Sequence, residues 1–458
     1  MSRRFWVETL GCPKNQVDSD KLTGTLLRDG LVPAPGPDDA DLVVVNTCAF
    51  IEDARQESID VVLDLADRKR AGAELVVTGC LAERYGDELA EALPEADAVV
   101  GFGVPVTSAA AVALAGVSSP VASSAVPSSP GTSSPVTASP GVAVSIGRKP
   151  VAVPPAVPLL DLLELPRPPA TAPWAYVKVA EGCDRACGFC AIPSFRGKQR
   201  SRTPDSVLAE VDTLAAGGVR EVVLVAQDLA AYGRDQGNGE RSIVPLVAEV
   251  SRRVPRARLL YLYPSDLTDG LIDAICATGL PYFDLSLQHA SGPLLRKMRR
   301  WGDGERFLRR IDAIRAREPD AAFRSSFIVG YPGETEEDHD TLLAFVEQAQ
   351  LDWAGFFAYS REAGTYAADL PDPVDDGLVA DRLAELRELQ DEITAVARDR
   401  LIGQVVEVLV DAPGVARSHR EAPEIDGIVA IPEDVPVGAL VKVQVTGAAG
   451  PDLDGTPV

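Results

Sequence analysis

The residues of this chain best suited to chemistry are three closely spaced cysteines. Cys183, Cys187 and Cys190 lie in the stretch EGCDRACGFC with the spacing C-x3-C-x2-C. Three thiolates on one short loop can bind three irons of a [4Fe–4S] cluster. Because no fourth cysteine lies nearby, one iron would keep a free position, where a substrate or a cofactor could bind.

Two other interpretations of this loop are a zinc site and a disulfide. Structural zinc usually takes four ligands in paired short spacings, and the sequence has no second pair here. A disulfide is disfavoured because the chain carries no secretory signal. The spacing and its context therefore favour the cluster.

A second set of cysteines lies in the first hundred residues, where each follows a predicted strand. Cys12, Cys48 and Cys80 come directly after the stretches ETLG, VVNT and VVTG. Open parallel sheets bind ligands at the carboxyl ends of their strands, so we expect these cysteines to meet in one crevice. The alternative is three separate core cysteines. Convergent thiolates would bind a second [4Fe–4S] cluster, again with an open iron.

Alternating strand and helix signals surround both cysteine sets, which predicts an α/β protein. In residues 1–103, Val-rich runs alternate with charged helical stretches, as in a parallel sheet covered on both faces. Six further strand–helix units in residues 171–397 predict a partial (βα)6 barrel with the Cys183 loop at its top. Alternating strands separated by Gly and Pro in residues 398–458 predict a small β-barrel.

The stretch between the two cysteine domains has a different composition. Gly103–Gly147 contains no charged and no aromatic residue and consists mostly of Ser, Pro, Ala, Val, Gly and Thr. Such a segment cannot bury a core. We therefore expect residues 104–170 to form a disordered linker and assign no structure before about Ala170.

Five other residues are candidates for a cofactor pocket because they follow or end predicted barrel strands, where active sites of such barrels form. Ordinary turn chemistry explains any one of them equally well. The candidates are Gln227 after the second strand, Ser286 and Gln288 at the end of the fourth, Arg324 on the fifth, and Gly330 after the fifth.

The charge of the chain limits its partners. It has 44 Lys and Arg residues against 68 Asp and Glu residues, a net charge of −24. Nucleic-acid phosphates need a basic surface, so direct nucleic-acid binding is disfavoured, and a basic partner is favoured, although a generally acidic proteome would give the same composition. No apolar run is long enough for a signal peptide or a membrane span. We expect a cytoplasmic protein that does not associate with a membrane.

The three-cysteine loop resembles that of the radical S-adenosylmethionine (SAM) enzymes. With both cysteine sets and the terminal β-barrel, the chain resembles the methylthiotransferases of that superfamily, whose last domain is called TRAM. The resemblance implies that the open iron of the barrel cluster chelates SAM. It also implies that an electron, supplied by an external donor, cleaves SAM into methionine and a 5′-deoxyadenosyl radical.

Two stretches are similar to the RimO-type branch of these enzymes: Leu10–Asn15 (LGCPKN) and Arg417–Gly427 (RSHREAPEIDG). The MiaB-type tRNA enzymes carry Gln-Met-Asn after the same Gly-Cys. The resemblance implies methylthiolation of an aspartate β-carbon in small-subunit ribosomal protein S-twelve. One SAM would give the methyl group, a second would give the radical, and the N-terminal cluster would carry the sulfur.

Three other functions share features of this sequence. A tRNA adenosine methylthiotransferase would use the same chemistry, but its TRAM domain should be basic. A two-cluster electron carrier would normally ligate both clusters with four cysteines each, and both sets here stop at three. A zinc scaffold is the third, and metal analysis distinguishes it.

Overall fold

The computed structural model describes residues 2–107, 161–237 and 242–458. Most of the predicted linker, residues 108–160, lies outside the described residues, so the prediction of disorder there stays a prediction. In the described part of the chain, no helix is both long enough and apolar enough to cross a membrane.

The N-terminal domain is built on a five-stranded sheet in the order β2-β1-β3-β4-β5, with every pair parallel. The central strands β3 and β4 are buried along their whole length, because their Val-rich runs are covered on both faces. This confirms the predicted parallel sheet. The elements are β1 (Arg4–Thr9), α1 (Pro13–Arg28), β2 (Val32–Pro33), β3 (Leu42–Thr47), α2 (Glu52–Arg68), β4 (Glu74–Gly79), α3 (Cys80–Ala92) and β5 (Ala98–Val99).

The middle domain has the six parallel strands that the sequence predicts. They form two sheets of three, β10-β9-β6 and β11-β12-β13, and an isolated bridge between Leu262 and Leu285 connects them. The main strands are β6 (Trp174–Lys178), β9 (Glu221–Val225), β10 (Arg256–Leu259), β11 (Tyr282–Gln288), β12 (Ala322–Val329) and β13 (Trp353–Ala358); the short pair β7 (Ala180–Glu181) and β8 (Arg200–Ser201) flanks the cysteine loop.

Helices cover the outside of these strands and bury the largest apolar core of the protein against them. The helices are α4 (Ile192–Arg196), α5 (Pro204–Ala216), α6 (Ile243–Ser251), α7 (Asp269–Ala277), α8 (Gly292–Lys297), α9 (Gly304–Arg317), α10 (Glu336–Ala349) and the long α11 (Asp376–Asp399), which leads to the last domain.

The last domain is a closed barrel of five strands in the order β14-β15-β16-β18-β17. The sequence predicts three of them. The other two are β15, which is only three residues long, and β18, which contains Gly and Pro and therefore gives a weak strand signal. The strands are β14 (Val405–Ala412), β15 (Val415–Arg417), β16 (Val429–Ala430), β17 (Leu440–Ala449) and β18 (Asp452–Pro457).

The end of the predicted linker is ordered against two domains, which differs from the expectation of no structure before about Ala170. Leu162 and Leu163 are buried. Arg167 donates a hydrogen bond of 2.6 Å to the carbonyl oxygen of Tyr176 in β6 and pairs with Asp20 in α1. The reason is local, since the Leu-rich stretch after residue 158 can bury apolar surface that the Ser/Pro segment before it lacks.

Candidate active site: two cysteine sets across a domain interface

The barrel cysteines lie on a loop that follows β6 and β7 at the carboxyl end of the strands. The amide of Cys183 donates to the carbonyl oxygen of Gly197 at 3.1 Å, and the amide of Gly188 donates to that of Met298 at 2.8 Å. Gly182 has φ 76°, and the Lys198 carbonyl lies where a Cβ would be, so only glycine fits there. The loop is thus fixed at both ends around its three thiols.

Burial shifts the titration of these thiols. It raises the pKa of Cys183 to about 11 and that of Cys190 to about 12. Nη1 of Arg300 lies 3.3 Å from Sγ of Cys187. Cluster binding must therefore displace protons from these thiols, as metal binding to cysteine generally does.

The N-terminal cysteines lie together, as the strand pattern predicts. Cys12 directly precedes α1, Cys48 follows β3, and Cys80 begins α3. The preceding strands β1, β3 and β4 are neighbours in the sheet. Burial raises the pKa of Cys48 to about 12, and the charges of Cys12 and Cys80 raise it further. The three thiols therefore share one crevice.

Positive charge faces this crevice from both domains. Burial acts to raise the pKa of Cys12, but Lys14 and Arg196 lower it and the net shift is downward. The Lys14 ammonium also lies 3.2 Å from the ring centroid of Tyr261 in the barrel. The side chain of Asn15 donates to the carbonyl oxygens of Leu10 (2.9 Å) and Thr47 (3.0 Å), which ties the Cys12 turn to the end of β3.

The donor sets fit iron–sulfur clusters, whose protein ligands are cysteine thiolates. Among the described residues, which include all seven cysteines, no three His, Cys, Asp or Glu side chains are close enough together to hold one metal ion. A zinc site would need that geometry. A four-iron cluster binds each thiolate to a different iron and so holds its ligands further apart. Two sets of three thiols, one of them faced by Lys14 and Arg196, suit such an anionic group.

The five candidate pocket residues do not line the cavity beside the barrel cysteines. A cavity of about 260 Å³ opens beside Cys187, and its lining contains none of the five. Three of them bond to carboxylates: Gln227 donates to Glu181 (2.6 Å), Arg324 pairs with Asp284 (3.1 Å) and Asp426 (3.4 Å), and the Gly330 amide donates to Glu334 (2.7 Å). The carbonyl oxygen of Ser286 accepts from Arg300, and Gln288 has φ 73° at the end of β11. Their role in binding SAM stays a prediction.

Sequence reasoning missed a buried ionic network between the two cysteine domains. Lys178 in β6 pairs with Asp18 of α1 and with Glu181 (2.6 Å). Arg196 in α4 bonds to the same two carboxylates, at 3.1 and 2.9 Å. The available signal was Lys178, a charged residue within the apolar strand WAYVKVA, because a buried lysine requires a partner. The network fixes the two cysteine sets relative to each other.

Comparison with known proteins defines the class. Residues 4–101 match a model described as uncharacterized protein family UPF0004, residues 177–346 match the radical SAM superfamily, and residues 402–458 match the TRAM domain. The radical SAM methyltransferase TsrM from Kitasatospora setae, solved with cobalamin and a [4Fe-4S] cluster, shares the fold: the TM-score is 0.53 at 16% identity, covering 93% of this chain and 82% of that chain. The protein is a radical SAM enzyme with an additional N-terminal domain and a TRAM domain.

Relatives identify the branch of that class. A protein from Kineococcus radiotolerans named ribosomal protein uS12 methylthiotransferase RimO is 42% identical, covering 100% of this chain and 98% of the relative. A protein of the same name from Streptomyces coelicolor is 40% identical, covering 100% and 97%. This chain belongs to the RimO family of methylthiotransferases. The resemblance read from both cysteine sets, LGCPKN and the TRAM region is thereby confirmed, while the exact domain boundaries stay predictions.

Proposed function

We propose that this enzyme adds a methylthio group to the β-carbon of an aspartate in ribosomal protein uS12, the small-subunit protein S-twelve. The observation that carries the proposal is the pair of three-cysteine sets fixed across one interface, on a chain whose relatives bear the uS12 methylthiotransferase name. The two sites have different roles. Cys183, Cys187 and Cys190 would hold the SAM-binding cluster, and Cys12, Cys48 and Cys80 would hold the cluster that carries sulfur.

The chemistry of the target explains why both sites are needed. Hydrogens on an aspartate β-carbon are too weakly acidic for the side-chain bases that enzymes use. A cluster held by Cys183, Cys187 and Cys190 would, with SAM bound, supply the radical chemistry that removes such a hydrogen without a base. One SAM would be used for this step and another as methyl donor. An external electron donor is needed, and the substrate places the activity in the cytoplasm.

The charges of the TRAM domain favour a protein substrate over the alternative tRNA substrate. Residues 398–458 contain five Lys and Arg residues and ten Asp and Glu residues. Three of the five basic side chains are already paired with carboxylates: Arg398 with Glu421, Arg417 with Glu221, and Arg420 with Asp352. Few cations remain for phosphates, whereas an acidic surface complements a basic ribosomal protein.

Mass analysis of uS12 from cells with and without this gene tests the proposal. We expect the protein from gene-containing cells to carry one methylthio group on an aspartate, and the protein from deleted cells to lack it. Nucleosides from tRNA of the same two strains provide the control. Loss of a methylthio-adenosine together with unchanged uS12 would replace the proposal with the tRNA alternative.

A further inference from the structure

Arg196 is a residue of the barrel domain whose side chain enters the N-terminal cysteine crevice. It ends α4, the short helix that follows Cys190, so it belongs to the same loop as the barrel cysteines. Its side chain is only 4% exposed. Its Nη2 donates a hydrogen bond of 3.0 Å to Sγ of Cys80, and one of 2.6 Å to Oδ1 of Asn15. One side chain therefore connects both cysteine sets.

The remaining contacts of Arg196 hold its guanidinium group in a fixed orientation. Nη1 donates to Asp18 at 3.1 Å and to Glu181 at 2.9 and 3.0 Å. The ring of Phe102 covers one face of the group, with its centroid 4.6 Å from Cζ. Since a guanidinium is planar and always charged, these contacts fix which nitrogen points at the Cys80 sulfur.

Hydrogen bonds and charges at ligand sulfurs tune iron–sulfur clusters. A reduced cluster carries one more negative charge than an oxidised one, so a cationic donor to a ligand sulfur stabilises the reduced form. In the described part of the chain, Arg196 is the guanidinium that donates to a sulfur of the N-terminal set. The ion pairs with Asp18 and Glu181 do not require a hydrogen bond to the Cys80 sulfur, so this bond indicates a role beyond holding the two domains together.

We propose that Arg196 is a positioning residue that raises the reduction potential of the N-terminal cluster and orients it through Cys80. The inference rests on the proposed function, because it takes Cys12, Cys48 and Cys80 as cluster ligands. It also gives a physical reason for a residue of the barrel loop to project into the other domain. The sulfur-carrying site is thereby completed by the domain that makes the radical.

The test uses the full chain with Cys183, Cys187 and Cys190 replaced by Ala, so that only the N-terminal cluster contributes. Iron content and the midpoint potential of the cluster are measured in this parent and in R196M, R196K and E181Q. We expect R196M to have a more negative midpoint potential than the parent. A shift of about 59 mV corresponds to a tenfold change in the ratio of reduced to oxidised cluster at a given solution potential. R196K keeps the charge and should retain most of the parent potential.

E181Q separates tuning from simple support of the interface. Glu181 bonds both Arg196 and Lys178, so its loss loosens the same interface, but it removes a negative charge and should move the potential to a more positive value. A purely structural Arg196 would give shifts of the same direction in R196M and E181Q, or none, and this result would overturn the inference. If R196M fails to fold, E181Q decides: an unchanged or more negative potential in E181Q would overturn the inference.

Failure of the proposed function looks different from failure of this inference. A parent that binds no iron would show that the N-terminal cysteines hold no cluster, which would overturn both. A parent with a full cluster whose potential is unchanged in R196M would overturn the role of Arg196 alone. R200Q provides a matched control, because Arg200 lies on the same segment and pairs with Asp161 at 2.7 Å, away from the cysteines.

Discussion

Arg55 of the N-terminal domain donates a hydrogen bond of 2.7 Å to Oε2 of Glu362, which follows the last strand of the barrel domain. Arg84 in α3 donates to the same oxygen at 2.5 Å. The Glu362 side chain is only 3% exposed. Burial acts against its charge, but Arg55 and its neighbours lower the pKa of Glu362 overall. This ion cluster is a further contact between the two cysteine domains, separate from the network around Arg196.

Replacing Glu362 with Gln should destabilise the protein strongly. It leaves Arg84 buried without a counter-charge, and breaking a buried pair from one side costs about 3 kcal/mol at the low end of the usual range. We expect the low end of this range because Arg55 still has an ion pair with Glu52 in the variant. Urea denaturation of the metal-free protein measures the effect. E249Q is the control, since Glu249 pairs with Arg252 and Arg253 on the exposed surface, and an equal loss in both variants would contradict the prediction.

Glu221 anchors the TRAM barrel and should make the protein sensitive to acid. It is fully buried, accepts from Arg258 at 2.8 Å and from Arg417 of the TRAM domain at 3.3 Å. Burial alone would raise the pKa of Glu221, but Arg417 and Arg258 lower it to about 2, from 4.5. A lowered folded pKa stabilises the folded state above pH 4.5, and this stability is lost as pH falls toward 2. The difference of 2.5 pKa units corresponds to about 3 kcal/mol.

Comparison of wild type with E221Q measures this contribution. E221Q should be less stable at pH 7, and the gap between the two proteins should narrow as the pH is lowered to 3. A constant gap across this range would show that the Glu221 carboxyl does not titrate as described. R417M removes the partner of Glu221 in the TRAM domain. Its stability should therefore fall less than that of the wild type when the pH is lowered from 7 to 3.

The placement of the cysteines could be predicted from the sequence because it depends on short-range order. Cys12, Cys48 and Cys80 each follow a Val-rich or otherwise strand-like run, and parallel topology then places them at one sheet edge. The spacing of the barrel cysteines is local as well. Charge and motif together also gave the family, since LGCPKN and the acidic TRAM segment need no tertiary structure to be recognised.

The interface could not be predicted because it depends on residues far apart in sequence. Arg196 and Cys80 are 116 positions apart, and Arg55 and Glu362 are 307 apart, so no periodicity connects them. Arg324 is a further case: a cofactor contact predicted from its position on β12 stays a prediction, and its ion pairs with Asp284 and with Asp426 of the TRAM domain were not predicted. Position on a strand predicts where a side chain begins, whereas its partner is decided by packing.

Asp426 should make stability depend on pH in the opposite sense to Glu221. Burial raises the pKa of Asp426 from 3.8 to about 6, although Arg324 lies 3.4 Å away. Burial prevails because the carboxyl is enclosed and Arg324 is shared with Asp284. A raised folded pKa favours the protonated form, so this group costs stability as pH rises from 4 to 6. The shift of 2.2 pKa units corresponds to about 3 kcal/mol.

The variant D426N tests this sign. Asn is neutral at every pH and its oxygen can still accept from Tyr282 and the Ala422 amide, which bond Asp426 at 2.6 and 2.8 Å. The stability of D426N relative to wild type should therefore increase between pH 4 and pH 7. An exposed substitution, D340N, should show no such trend. A relative stability that falls with pH would mean that the ion pair with Arg324 dominates instead.

Each barrel cysteine should be required for SAM cleavage. Replacing Cys183, Cys187 or Cys190 with Ala removes one of three ligands from a site with no spare cysteine, so production of 5′-deoxyadenosine should be abolished while the N-terminal cluster is retained. The measurement is product analysis after reduction, with iron counted in the same samples. C276A is the control, because Cys276 lies on α7 and packs against the barrel core. Normal 5′-deoxyadenosine production by any of the three variants would refute their assignment as ligands.

Removing the N-terminal cysteines should uncouple the reaction instead of stopping it. In C12A/C48A/C80A, Arg196 loses the Cys80 sulfur but keeps Asp18, Glu181 and Asn15, so the interface and the barrel site should persist. The variant should retain roughly half of its iron, by the count of two equal clusters. It should still produce 5′-deoxyadenosine when reduced, yet transfer no methylthio group to uS12. Retained methylthiolation would remove the sulfur-carrying role from this site, whereas loss of all SAM cleavage with the barrel cluster intact would show that the two clusters act only as a coupled pair.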